Sequence, residues 1–313
     1  MKSIFAVVVA SLYGLSVRLI FGFLNNVLGI MSVTFLMLVP IFIGFLNIRL
    51  MPVKSAIAAF FIPWITSTLL LVITLLFNIE GIICWLMIFP VFAIFAGIGG
   101  IIAYHMQKRK DHKSKYRDTL DISFAVLLPL LLGYIEGERT LSPEVYTLKE
   151  EVVIPASSKK VWHTLTHLSE VGTQEKHTPL STFMGFPKHL KTMMDTAAVG
   201  QRRMAYYERG LFFEETITKL EHERLLVLDI HTDPNKIPPT IMDEHIVIGG
   251  KHLDILEDTY ELKKMPDGNT HLTLSSKFYI NTPLNWYAGI WAKLLMSDLL
   301  SGELKLIQKR AIE

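Results

Sequence analysis

Glu215 is the most conspicuous chemical group in the chain. It stands at the same parity as Leu211, Phe213 and Ile217 in a run that alternates with period two. A carboxyl buried on such an apolar face has its pKa raised and can work as an acid or base or hold a ligand hydroxyl. The competing reading is an ion pair with Arg202 or Arg203 on the preceding strand. Tyr207, nearby in sequence, is the second candidate for acid–base work. Acids and histidines also gather in DIHTDP (229–234) and DEHIVIGGKHLD (243–254), where Asp229 and His231 share parity and His245 could meet a cross-strand acid. A metal site needs three or four converging ligands with orienting partners. Neither stretch has a compact ligand motif, so a polar sheet face is expected and no metal. No nucleophile elbow, P-loop or dinucleotide fingerprint occurs: GIGG (97–100) lies inside an apolar run without the strand-to-helix context a fingerprint needs, and no cofactor is expected.

The elements that must position these groups lie in the last 170 residues. Residues 145–154 read as a strand, and Ser157 or Ser158 caps a helix that starts near Lys159 and carries Val161, Trp162, Leu165 and Leu168 on one side. A short helical or irregular stretch runs to about Lys191. Strand-like runs follow at 200–208, 211–219, 224–232, 242–250, 254–264 and 270–281, several of them separated by turn residues at Arg209-Gly210, Asp233-Pro234-Asn235 and Asp267-Gly268-Asn269. One long helix closes the chain at about 284–312, with Trp286, Ile290, Leu294, Leu300, Leu304 and Ile307 at roughly helical spacing.

Charge divides the 313 residues sharply. Residues 1–104 hold only Lys2, Arg18, Arg49, Lys54 and Glu80, and a mean hydropathy of +0.37 is high for a chain without membrane segments. Runs at 4–24, 28–47, 56–77 and 81–104 are long enough to cross the hydrocarbon core, and 119–135 reaches the lower limit. The first has no cleavage site followed by a polar start, so it reads as a retained helix, with Arg18 snorkelling to the interface. Prolines at 40, 63, 90 and 129 and the GIGG stretch could break helices for transport, but spans this poor in ionisable groups fit an anchor or small bundle better. Six Lys/Arg against one Asp in residues 105–117 assign that loop, with Lys2 and the Arg49/Lys54 loop, to the cytoplasm. Five crossings then leave an integral protein of the plasma (inner) membrane with a cytoplasmic N-terminus and an extracytoplasmic C-terminal domain. If 119–135 lies in the interface or is buried instead, that domain stays inside. The single Cys84 permits no disulfide within the chain, and 20 Lys/Arg against 23 Asp/Glu in residues 140–313 argue against nucleic acid as a partner.

The order strand, two short helices, six strands, long helix resembles the helix-grip fold of the START-like, or SRPBCC, superfamily, which includes polyketide cyclases, pollen-allergen-type binders and lipid-transfer domains. The residues that carry the resemblance are VVIPASSKKVW (152–162), GQRRMAYYERGLFFEETIT (200–218), DGNTHLTLSS (267–276) and the closing helix with Trp291 and KLIQKRA (305–311). The fold class expected is therefore an α-helical membrane bundle (1–136), a linker (137–144) and an α+β helix-grip domain (145–313). The resemblance implies a curved antiparallel sheet around the long helix with an elongated apolar cavity between them. Strand parity puts Phe213, Glu215, Ile217, Leu228, Leu274, Ser276 and Phe278 on its wall, and Trp286, Ile290 and Leu294 would face them from the helix. The apolar stretch HTPLSTFMGFPKHL (177–190), with Phe183, Met184 and Phe186, would border the cavity mouth as a gate or membrane-contacting lid. One fold hosts many functions. The leading expectation is a membrane-anchored module that binds or shuttles a lipophilic small molecule at the bilayer surface. The alternatives are a cavity enzyme of cyclase or hydrolase type using Glu215 and Tyr207, and a regulatory membrane protein whose grip domain binds a protein partner.

Overall fold

The computed structural model describes residues 2–24, 31–108, 127–136, 141–168, 170–172, 175, 178–194, 196–236 and 247–313. The chain divides into two compact units, Met1–Ser142 with Thr282–Leu284, and Pro143–Asn281 with Asn285–Glu313.

The first unit is helical: α1 (Lys2–Phe23), α2 (Thr34–Leu50), α3 (Ala56–Leu76), α4 (Ile82–Lys108) and α5 (Leu127–Glu136). Helices α1, α3 and α4 are long and apolar enough to cross a membrane, judged by length and composition. The second and fifth expected spans are shorter as described. A turn at 31–32 precedes α2, whose first turn is a π-type segment, Thr34–Leu38, and residues 119–126 lie outside the described residues. The Glu136 carboxylate fixes where α2 begins, accepting hydrogen bonds from the amides of Val33 (2.7 Å) and Thr34 (2.8 Å), which have no partner within the helix.

Glycines let these helices touch backbone to backbone. A Cβ on Gly44 would lie 1.8 Å from the Ala96 carbonyl oxygen, and one on Gly99 would lie 1.8 Å from that of Ile41. GIGG is thus a packing device between α4 and its neighbours. Polar side chains add interhelical bonds: Asn47 donates to Thr66 (2.5 Å), and the Trp85 indole donates to Thr74 (2.6 Å). Arg18 departs from the snorkelling expectation. It is buried and paired with Glu80 in the turn between α3 and α4, because a partner within reach removes the need to find water.

Among the described residues the second unit is one seven-stranded antiparallel sheet, in the order β1-β7-β6-β5-β4-β3-β2, with three α-helices. Its strands are β1 (Glu144–Ile154), β2 (His189–Met194), β3 (Arg202–Tyr207), β4 (Phe212–Glu221), β5 (Leu225–His231), β6 (Leu253–Lys264) and β7 (Thr270–Ile280). Its helices are α6 (Ser158–Thr166), capped by the Ser157 hydroxyl, the one-turn α7 (Pro179–Phe183), and α8 (Asn285–Ile312). Leu272, Leu274 and Phe278 of β7 and Leu226 and Leu228 of β5 form one core with Met296, Leu300, Leu304 and Ile307 of α8 and Trp162 of α6.

Two strand assignments change. His189–Met194 is an edge strand, where the sequence reads as helical or irregular up to Lys191. The strand expected at 242–250 is not formed in its described part, 247–250, which makes a turn with a single bridge from Ile248 to Leu253. Gly249 explains this: it sits at φ +80°, and a Cβ there would come within 2.3 Å of the Thr232 carbonyl oxygen. His245, and residues 242–246 as a whole, lie outside the described residues.

Candidate functional site

The inner face of the sheet is apolar at its β1–β7 end and turns polar toward β3. Strand parity places Phe213, Glu215 and Ile217 of β4, Leu228 of β5, and Leu274, Ser276 and Phe278 of β7 on that face, and all seven are buried. The antiparallel register sets Arg203 opposite Glu215 and Asp258 opposite both Leu228 and Ser276. Arg203 pairs with Glu215 at 3.1 Å, both side chains being buried, while Arg202 points outward and pairs with Glu214. Period-two geometry forces this choice: only Arg203 shares the inward parity of Ala205 and Tyr207.

Three further groups join this pair. His189, at the start of β2, is buried, stacked on the Tyr207 ring (centroids 5.0 Å apart) and hydrogen-bonded to Thr192 (2.9 Å). Its Nδ1 lies 3.7 Å from a carboxylate oxygen of Glu303, a buried acid on α8. Tyr260, buried on β6, has its ring centroid 6.0 Å from the Arg203 guanidinium. Sequence reasoning names Glu215, Tyr207 and Ser276 and brings in Arg203 as an ion-pair partner, but it misses His189, Asp258, Tyr260 and Glu303. Glu303 does leave a trace, as the one acid set among Leu300, Leu304, Leu306 and Ile307.

These groups act on one another electrostatically. Burial works against the Arg203 charge, but Glu215, Tyr260 and Glu303 more than offset it and hold its pKa above the ordinary arginine value. Tyr207 and Tyr260 are both pushed well above the ordinary phenol range, by burial first and by the Glu303 charge next. At neutral pH both therefore keep their hydroxyl proton. Arg203 Nε and Ser276 Oγ are buried and have no hydrogen-bond partner in this structure. Buried polar atoms of this kind are rare in folded proteins and invite a water or a ligand atom.

A crevice lined by Gly172, Thr178, Pro187, Lys188, His189, Leu190, Tyr207 and Leu299 reaches this cluster from the surface. The segment expected to be a lid borders it. Phe183 is 73 % exposed, whereas Met184 is fully buried and Phe186 packs edge-on to Tyr207. Ser181 ties the segment to Asp298 of α8, and Arg209 ties it to the Gly185 carbonyl. The other side of the crevice is held by Glu175, whose carboxylate accepts from Arg310 (2.7 Å) and from the Gly172 amide (2.5 Å). The Arg310 hydrogen bond, then that of Gly172, lower the Glu175 pKa below the ordinary carboxylate value. A depressed folded-state value means the contribution is present above the unfolded pKa and is lost as pH falls through the folded one. Residues 170–175 should therefore become protease-sensitive only below about pH 4.5, and Glu175→Gln should show that sensitivity already at pH 7. Equal cleavage of both proteins at pH 7 would count against the clasp.

The α8 residues expected on the cavity wall are a correction. Trp286 (68 % exposed), Ile290 (53 %) and Leu294 (50 %) face outward. The inward stripe in this half of α8 is Asn285, Gly289 and Met296, with Ala288 and Ala292 packed beside them. Close approach selects it: a Cβ on Gly289 would lie 3.0 Å from the Tyr146 hydroxyl, and the Tyr146 ring stacks on Phe278. Asp229 and His231 are exposed on the outer face, and no group of three His, Cys, Asp or Glu residues among the described residues is arranged to hold a metal ion.

No family model matches the chain, and no curated protein matches it. Solved structures similar to it over its C-terminal half include truncated norcoclaurine synthase from Thalictrum flavum, at 14% identity and a TM-score of 0.35, covering 55% of this chain and 96% of that one. The Zhui aromatase/cyclase from Streptomyces sp. R1128 is similar at 14% identity and a TM-score of 0.35, over 54% and 94%. A START superfamily protein from Mycobacterium smegmatis is similar at 11% identity and a TM-score of 0.35, over 53% and 97%.

Proposed function

We propose that this chain is a membrane-anchored binding protein, with residues 1–136 as anchor and a C-terminal unit that takes up a lipophilic small molecule between its sheet and α8. The observation that carries the reading is the pair of buried polar atoms without a hydrogen-bond partner, Arg203 Nε and Ser276 Oγ, on an inner face that is apolar at its β1–β7 end and whose polar end is reached by the crevice at His189 and Tyr207. Apolar walls supply the transfer free energy, about 25 cal/mol per Å² buried, and a few placed polar groups fix orientation. The ion-paired Glu215 and the protonated Tyr207 suit holding a ligand better than moving protons. Tethering at a bilayer keeps the unit where lipophilic molecules reside.

The ends of the helical unit support a sidedness for this reading. Gln107 near the end of α4 donates to the Ile48 carbonyl (2.9 Å), and Tyr104 donates to that of Lys54, so Lys108, the first base of the 105–117 stretch, lies at the Arg49/Lys54 end. Glu136 sits at the start of α2, the opposite end of that helix. Lys108 and Glu136 thus lie at opposite ends of α2. With the basic end cytoplasmic, the C-terminal unit emerges outside. Ser142→Cys, on a Cys84→Ser background, should react with a membrane-impermeant maleimide in intact cells, and Lys54→Cys only after permeabilisation. The reverse pattern would overturn the assignment.

Native mass spectrometry of the full-length protein released from maltoside micelles tests the binding reading. A discrete lipophilic mass retained by the protein, and weakened in Ser276→Leu, is the expected result. A protein that carries no mass and takes up no member of a lipophile panel would sink it.

A further inference from the structure

We propose that the outward stripe of α8, Trp286, Ile290 and Leu294, docks the C-terminal unit onto the bilayer, with these side chains in the boundary between headgroups and acyl chains. This goes beyond ligand uptake, but it rests on residues 1–136 being a membrane anchor. Each of the three side chains is half or more exposed, and their four-residue spacing sets them on one line of the helix. The partly exposed Tyr287 and Trp291 stand beside that line, and the Trp286 and Tyr287 rings meet edge to face with centroids 5.7 Å apart. The line is apolar over these turns only: beyond Leu294 the same side of the helix carries Asp298 and Lys305. Large apolar side chains scattered singly over a surface are ordinary, whereas a gathered set of them marks a contact.

The place of the stripe within its unit selects the bilayer as its occupant. Only residues 137–142 separate the end of α5 from the C-terminal unit, at most about 25 Å of chain. The unit begins with β1, and Tyr146 of β1 lies against the same turns of α8. Its hydroxyl oxygen is 3.4 Å from the Asn285 carbonyl oxygen, and the Lys293 ammonium is 4.8 Å from its ring centroid. The stripe therefore stands at the corner of the unit where the short tether attaches. Tryptophan and tyrosine join an apolar ring to a polar tip and favour the bilayer interface for that reason. A second copy suits the stripe less well. It is about 12 Å long and one helix wide, far short of the roughly 800 Å² that each partner in a stable dimer buries. Lys293 is the exposed cation on these turns, so apolar transfer rather than attraction to anionic lipid carries the contact.

Nitroxide labels on single cysteines test this in the full-length protein, on a Cys84→Ser background, in liposomes of phosphatidylcholine alone. Each label is read by its access to oxygen, which concentrates in lipid, and to a nickel chelate, which stays in water. Labels at Trp286→Cys, Ile290→Cys and Leu294→Cys should each show an oxygen-to-nickel ratio several-fold above that of Lys264→Cys. Lys264 is exposed and pairs with Thr270, at the end of β6 remote from the tether. Ile65→Cys, on the exposed side of α3, reads the anchor separately and should also be rich in oxygen. Stripe labels as open to nickel as Lys264→Cys, with Ile65→Cys still in lipid, overturn the docking and leave the anchor standing. Low access of the stripe to both reagents means that protein covers it, a second copy or this chain itself, and overturns the docking equally. Nickel access at Ile65→Cys overturns the anchor and the docking together.

Discussion

Arg203→Met destabilises the C-terminal unit by about 3–5 kcal/mol, because it leaves the Glu215 carboxylate buried without its counter-charge. For a unit of this size that is a fall in melting temperature on the order of 10 °C, read by near-UV circular dichroism of the full-length protein in detergent. The informative partner is the double variant Arg203→Met with Glu215→Leu. Removing both charges replaces an ion pair with an apolar contact of similar volume, which is commonly neutral or favourable. The double variant should therefore recover most of the loss. If it melts as low as Arg203→Met alone, the two residues are not coupled, and the polar seam is not organised around this pair. The same double variant should bind lipophiles without head-group discipline, since Arg203 Nε is one of the two atoms left to orient them.

Gly99→Val and Gly44→Val should each prevent the helical unit from packing. The atoms that would meet the new Cβ are the carbonyl oxygens of Ile41 and Ala96, which are backbone and cannot rotate away. Relief requires two helices to separate, at a cost above the roughly 1–3 kcal/mol typical of overpacked cores. The checking measurement is the monodisperse fraction in size-exclusion chromatography after heating, and that fraction should fall several-fold. Gly14→Ala is the matched control. Its Cβ would meet the ends of the Ile43 and Leu70 side chains, at 2.8 and 3.0 Å, which can change rotamer. A Gly99→Val protein as heat-resistant as Gly14→Ala would mean that α2 and α4 do not approach as closely as described.

The two variants also separate what the sequence reveals from what it hides. GIGG is conspicuous in the sequence, and its place within an apolar run already points to packing, but the helix it would touch was open. Arg203 is legible by parity alone, since residues 203, 205 and 207 must face one way and 202 the other. Glu215, Tyr207 and Ser276 are placed on the same principle, whereas Asp258 and Tyr260 of β6 and His189 of β2 are not singled out by it.

The sequence by itself determined the apolar blocks, a serine cap at 157 or 158, the alternation of β4, β5 and β7 and the length of α8, because each depends on neighbours within a few residues. Tertiary structure alone decided the rest. His189 and Glu303 meet from elements 114 positions apart, and no local pattern marks them as partners. β2 escapes a reading by alternation because a register shift between His189 and Lys191 breaks its period, so that His189 and Thr192, three apart, are both buried. Apolarity suggested the Trp286, Ile290 and Leu294 face of α8 as the inner one. The sheet took the Gly289 face instead, because the distance at which a helix can settle on a sheet is set by the smallest side chains between them, and only the assembled fold shows which stripe that is.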